Sequence, residues 1–114
     1  MSEKSTVILV NNKGMGKGPE ELQLTLLGKY LQLLSESGEL PSAVCFYTEG
    51  VKLVTDGSPV LNQLLELEKK GIRLIVCSTC LNYYGLTDKL KAGIIGGMPD
   101  ILEAQFKADK VISI

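Results

Sequence analysis

Two thiols three residues apart, Cys77 and Cys80, stand in the run Cys77-Ser78-Thr79-Cys80-Leu81-Asn82-Tyr83-Tyr84-Gly85. The preceding Ile72-Arg73-Leu74-Ile75-Val76 is an apolar, strand-forming run. Both thiols therefore fall where a strand ends and a turn begins. In open α/β sheets the carboxyl ends of the strands open into the crevice where ligands and reactive groups collect. If Leu81 starts a helical turn, Cys80 lies near a helix N-terminus, whose free N–H groups and dipole favour the thiolate over the thiol. Ser78 and Thr79 could add hydroxyl donors to the same sulfur. Such a thiolate can take up sulfane sulfur as a persulfide and hand it to another thiol.

The alternative reading stands beside it. Unpaired cysteine is among the most buried residue types, and both thiols could simply cap the sheet. Cys77 is nearer the strand and expected to be the more buried, so Cys80 is the better nucleophile. Cys45, between Val44 and Phe46 in a mid-strand position, reads as core. Asn82 either orients the Cys80 sulfur or serves as a turn residue. A dithiol oxidoreductase is a further possibility, although in thioredoxin-like folds the pair follows an early strand and opens a long helix. Zinc is weaker: one Cys-x-x-Cys supplies two of the usual four ligands, and the chain has no histidine. The lack of histidine also removes Ser-His and Cys-His catalysis and imidazole acid–base chemistry. No metal or organic cofactor is expected.

A second candidate is the loop Lys13-Gly14-Met15-Gly16-Lys17-Gly18. It is not a Walker A loop, since Gly18 rather than Ser or Thr follows Lys17, and it is not a full G-x-G-x-x-G. One reading is a flexible connection before a helix. Another is a flap near the thiols, in which Gly14, Gly16 and Lys17 hold an anionic sulfur species.

Stepwise along the chain, Thr6–Val10 is an unbroken β-branched and apolar run, as in a central parallel strand. Pro19, Glu20 and Glu21 suit a helix start. Leu22, Leu26, Leu27, Tyr30, Leu33 and Leu34 then form a wide apolar face up to a stop near Gly38. Ala43–Tyr47 is a second strand, and Val51–Val54 is too short to classify. Ser58 and Pro59 read as N-cap and N1 of a helix that Gly71 closes. After the third strand come a short turn at Thr87–Lys91, a short strand at Gly93–Gly96, a helix from Asp100 to Ala108 with Ile101, Leu102 and Phe106 buried, and a terminal strand from Val111. Strands alternating with helices predict a parallel sheet with right-handed crossovers and helices on both faces, in one three-layer α/β/α domain spanning 1–114.

Composition narrows the function further. The chain carries 12 Lys+Arg against 13 Asp+Glu, a net charge of −1, and no basic tract that would mark a nucleic-acid or anionic-membrane surface. No apolar run approaches a transmembrane length of about 20 residues. The start Met1-Ser2-Glu3-Lys4 lacks a signal-peptide pattern, so the expected location is cytoplasmic. Three cysteines at uneven spacing do not make a disulfide framework. A mean hydropathy of +0.17 is high for a small soluble monomer, and subunit contacts would account for it.

Several segments together carry a family resemblance. Met15-Gly16-Lys17-Gly18-Pro19-Glu20-Glu21-Leu22, Gly50-Val51-Lys52-Leu53 with Asp56-Gly57-Ser58, the Cys77–Leu86 run, and Ala108-Asp109-Lys110-Val111-Ile112 resemble the DsrE-like superfamily. They are most similar to the C-terminal domain of YedF-type, sulfurtransferase-like proteins associated with selenium metabolism. The resemblance implies a five-stranded parallel sheet and a dimeric, trimeric or hexameric homo-oligomer. It also implies sulfur or selenium relay through a persulfide on Cys80, with Cys77 modulating or resolving it. Two-domain YedF-type proteins carry a TusA-like module ahead of this region, so a thiol-bearing partner such as a TusA-like protein is expected here. Relatives often read Cys-Gly-Thr-Cys, where this chain has Ser78, a strained choice if that position needs a positive φ. The alternative within the superfamily is a non-catalytic module that binds a small anion or a protein partner through the Gly14–Gly18 loop.

Overall fold

The β-branched and apolar runs become five strands: β1 (Thr6–Val10), β2 (Ala43–Phe46), β3 (Arg73–Cys77), β4 (Ile94–Gly96) and β5 (Lys110–Ser113). Between them lie α1 (Glu20–Glu36), α2 (Leu61–Lys69), α3 (Ser78–Tyr83) and α4 (Met98–Lys107), with 3-10 segments at Thr48–Val54 and Thr87–Lys89. The computed structural model describes residues 5–114; the Met1–Lys4 start, read above for its lack of a leader pattern, lies outside them.

The strands form one sheet in the order β4-β3-β2-β1-β5, and every neighbouring pair is parallel. The chain steps outward from β1 to β4, and α4 then returns it across the sheet to β5. In register, Cys45 sits beside Leu9 and Ile75, and Cys77 beside Gly96, so these residues share one face. α4 covers that face, with the Asp100 carboxylate against Gly96. The opposite face, carrying Ile8 and Ile112, shares a groove with Tyr30 and Leu34 of α1, and α2 packs beside α1. Three layers result, as the alternation of elements requires. Phe46, Leu27, Leu64, Leu67, Leu74 and Ile75 are fully buried between them, and each such side chain contributes roughly 1.5–3 kcal/mol of transfer free energy.

The Val51–Val54 piece that resisted assignment is part of a buried 3-10 segment, packed on β3 and α3. Its close approach rests on Gly50: a Cβ there would collide with the carbonyl oxygen of Val10. α2 starts at Leu61, two residues later than the Ser58-Pro59 signal suggests, because the Ser58 hydroxyl accepts the Val60 N–H and holds a turn instead.

Two apolar faces are narrower than periodicity implies. On α1 the buried stripe is Gln23, Leu27 and Leu31, while Leu22, Leu26 and Leu33 face outward. On α4 Ile101 is buried, but Leu102 and Phe106 are exposed, against expectation. The reason is the line Ile101, Ala104 and Ala108 that meets the core. Small alanines let the helix seat closely on that line, which turns Met98, Leu102 and Phe106 outward at i, i+4, i+8 spacing. Among the described residues no helix is long and apolar enough to cross a membrane.

Candidate functional site

β3 ends at Cys77 and α3 begins at the next residue, so the two thiols occupy the strand-to-helix corner expected for them. Cys77 is the last residue before the helix, with extended backbone (φ −65°, ψ 119°), and its side chain is buried beneath the corner. Cys80 is the third residue of α3 and is half-buried. Of the three cysteines it alone reaches solvent; Cys45 is fully buried. The Cys77 thiol lies near enough to Cys80 to push its pKa up.

The group aimed at the Cys80 sulfur comes from another strand. Thr48, two residues past the end of β2 and first in the 3-10 segment, donates its backbone N–H to Cys80 Sγ at 3.0 Å. β2 and β3 are parallel neighbours, so their carboxyl ends emerge side by side and a turn after one can reach a helix after the other. Thr48 itself has φ +47°, the only positive φ on a non-glycine among the described residues. Its hydroxyl donates in the direction of two carbonyl oxygens, Asn11 at 2.9 Å and Tyr47 at 2.8 Å. Asn11 in turn donates its side-chain amide to the Tyr47 hydroxyl at 3.3 Å. The ends of β1, β2 and β3 are thereby tied together around the thiol.

This environment corrects one expectation. Burial pushes the Cys80 thiol above its ordinary pKa, the Thr48 N–H pulls it down, and the neighbouring Cys77 thiol pushes it up again; the net direction is upward. A six-residue helix whose hydrogen-bonding N–H groups are few does not overturn the loss of water around the sulfur. Cys45, in the middle of the sheet, is pushed up to about 11 by burial, with Arg73 pulling weakly the other way.

The remaining residues singled out in the sequence divide clearly. Ser78 and Thr79 form the first turn of α3; neither hydroxyl bonds the Cys80 sulfur, whose donor is the Thr48 N–H. Ser78 is not at positive φ, so serine in place of glycine is unstrained. The Asn82 side-chain oxygen accepts the Thr87 hydroxyl at 2.8 Å and pins the turn after α3, which is the turn role rather than the orienting one.

Gly14, Gly16 and Lys17 belong to a loop fastened to α1. The Gly16 carbonyl accepts from Gln23 Nε2 at 2.7 Å and from Asn12 Nδ2 at 3.1 Å, and the Met15 N–H donates to the Gln23 carbonyl at 3.0 Å. Gly14 lies so close to Gln23 that any Cβ would collide with it. The segment is a docked connection rather than a free flap, and its hydrogen bonds run to α1 instead of to Cys80. Lys17 is exposed. Thr48, Tyr47 and Asn11 are what the sequence reading missed. The only available signal was indirect: strands adjacent in a parallel sheet must end side by side.

Beyond Cys80 the surface carries an aromatic pair, Tyr83 and Tyr84, edge to face at 5.3 Å. The Lys52 ammonium lies 4.5 Å from the Tyr84 ring centre and 3.4 Å from Glu49. Among the described residues no group of three or more His, Cys, Asp or Glu could hold a metal ion.

Comparison with known proteins agrees with this architecture. The model of the DsrE/DsrF-like family matches residues 4–114. The ychN protein from E. coli superposes with a TM-score of 0.75 at 21% identity, covering 98% of this chain and 100% of that one. A protein of unknown function, MTH1491 from Methanobacterium thermoautotrophicum, gives a TM-score of 0.73 at 22% identity, with coverage of 98% and 100%. BT1422 from Bacteroides thetaiotaomicron, a conserved protein of unknown function, gives 0.69 at 18% identity, with 96% and 95% covered. These likenesses establish the fold. A comparison with curated proteins gives no match.

Proposed function

The chain belongs to the DsrE/DsrF-like family, and from that premise we propose that it is a sulfur relay protein that carries a persulfide on Cys80. The observation that carries this reading is the contrast among its thiols: Cys80 alone reaches solvent, and it alone receives a backbone N–H, from Thr48. In loading, the Cys80 thiolate attacks the outer sulfur of a donor persulfide, R–S–SH. The Cys80 persulfide forms and R–S⁻ leaves. In unloading, an acceptor thiolate attacks the outer sulfur, takes it as its own persulfide, and releases Cys80 as thiolate. Each step exchanges one S–S bond for another and needs no external oxidant or reductant. The donor and acceptor are thiol-bearing proteins, with a TusA-like protein as the partner suggested by the resemblance to YedF-type domains. That resemblance extends the same chemistry to selenium. The surrounding location is taken as cytoplasmic, where thiols stay reduced.

A homo-oligomer belongs to this proposal. Met98, Leu102 and Phe106 form an exposed apolar stripe on α4, and Ile94 of β4 and Val111 of β5 are exposed on the same face of the sheet. Phe106→Asp should leave the fold intact and convert the assembly to monomer. Sedimentation of wild type as a clean 12.3 kDa species would count against the oligomer.

The test of the relay is intact mass after incubation with a persulfide donor. Wild type and Cys77→Ser should gain about 32 Da, one sulfur, and Cys80→Ser should gain nothing, because the thiolate is the acceptor. The Cys77-x-x-Cys80 spacing, with the Cys77 thiol pushing the Cys80 pKa up, supports a second reading, a dithiol oxidoreductase. That reading requires a loss of about 2 Da on mild oxidation, reversed by dithiothreitol, with no sulfur adduct on any variant.

A further inference from the structure

Thr48 combines features that a mere turn residue does not need. A β-branched residue at φ +47° is a conformational outlier, since its Cβ crowds the backbone there. Glycine would take that φ without strain, and the chain uses glycine at seven other described positive-φ positions. Here it keeps threonine, and the threonine hydroxyl lies within hydrogen-bond distance of the carbonyl oxygens of Asn11 and Tyr47, at 2.9 and 2.8 Å. Those contacts fix the peptide plane that carries the Thr48 N–H. The N–H lies 3.0 Å from Cys80 Sγ.

We propose that Thr48 is a positioning residue for sulfur transfer, its hydroxyl tether holding a strained backbone so that the N–H meets the charge developing on Cys80 Sγ. The inference rests on the relay reading and adds to it the group that stabilises the leaving sulfur. When an acceptor thiolate R–S⁻ attacks the outer sulfur of the Cys80 persulfide, the S–S bond to Cys80 breaks. Its electron pair stays on Cys80 Sγ, and R–S–SH departs. The negative charge therefore moves onto the atom to which the Thr48 N–H points. A hydrogen bond to a charged acceptor is roughly twice as strong as one to a neutral acceptor. It consequently favours the thiolate product and the transition state leading to it over the neutral persulfide. The same bond acts in loading, where it favours the attacking thiolate. The lowering contribution of the Thr48 N–H to the thiol is consistent with this geometry.

The test is the pH profile of Cys80 alkylation, read by peptide mass spectrometry on wild type, Thr48→Ala, Thr48→Ser and Thr48→Gly, with circular dichroism as the check on folding. Thr48→Ala loses the tether at a φ that alanine also resists, so the peptide relaxes and the N–H leaves the sulfur. Its profile should move to higher pH, with alkylation at fixed pH below the transition slower by about tenfold. Thr48→Ser retains the hydroxyl and should follow wild type. Thr48→Gly accepts φ +47° without strain and loses only the tether, so it should fall between them; it carries the test if Thr48→Ala does not fold. A Thr48→Ala or Thr48→Gly profile that superimposes on wild type overturns the proposal, as does a Thr48→Ser shift as large as that of Thr48→Ala. The readout involves no persulfide. Wild type that titrates as expected but never gains sulfur would remove the relay reading and leave the positioning of the thiolate standing.

Discussion

Cys45 and Cys80 are the same side chain, one within β2 and the other in the helix just after its neighbour β3, and they have opposite characters. Cys45 lies mid-strand in β2, fully buried between Leu9 and Ile75, and burial pushes its thiol up to about 11. Cys80 lies just past the end of β3, half-buried, with a backbone N–H on its sulfur. The difference is a matter of position along the strand. Inside the sheet every backbone group is paired with a neighbouring strand, and a side chain meets only apolar atoms. Past the strand ends, free N–H groups and solvent become available together. Cys77 marks the boundary: it is buried like Cys45 but pushes the Cys80 thiol up.

The largest expected effect is kinetic. Near neutral pH, an alkylating reagent should modify Cys80 more than about a hundredfold faster than Cys45, because Cys45 reacts only when the sheet opens. Comparable rates would erase the distinction between them. In stability, Cys45→Ser buries a hydroxyl among apolar neighbours and should cost about 1–3 kcal/mol. Cys80→Ser should stay within about 0.5 kcal/mol in the same denaturant titration. An equal loss at both sites would mean that Cys80 is core.

A pH titration sharpens the contrast further. Burial pushes the native Cys45 thiol up to about 11, from an ordinary value of about 8.5. Between those values the unfolded chain has released a proton that the native state retains. Stability should therefore be fully present below the ordinary thiol range and fall as pH rises toward about 11. Cys45→Ala should flatten that part of the curve. The smallest effect concerns Cys77. Its thiol raises the Cys80 pKa, so Cys77→Ala should move the Cys80 alkylation profile to lower pH. A shift to higher pH would mean that Cys77 stabilises the thiolate instead.

Much of the architecture was legible without coordinates. The apolar runs read at Thr6–Val10, Ala43–Tyr47 and Ile72–Val76 have no polar alternation, as expected of strands covered on both faces, and each became a parallel strand, the second ending one residue earlier, at Phe46. The corner after β3, the burial of Cys77 and the core role of Cys45 followed from distance along the strand. Helix faces were less legible. Periodicity identifies which residues share a side of α4, but not how far the helix is rotated against the sheet; Ala104 and Ala108 set that rotation, and Leu102 and Phe106 went outward. The Gly14–Gly18 segment looked loose by composition, yet Gln23 holds it through a side chain seven residues away from Gly16.

What the sequence by itself determined is local: the element types, their order, and the placing of two thiols at a strand end, because these depend on periodicity and on residues adjacent in the chain. What only the tertiary structure decided is the partner of the reactive sulfur. Thr48 lies 32 residues before Cys80, and its N–H reaches the thiol only because β2 and β3 pair in parallel and because Asn11, from the end of β1, supplies the carbonyl that holds the Thr48 hydroxyl. Pairing between strands brings together groups whose separation in the chain carries no pattern.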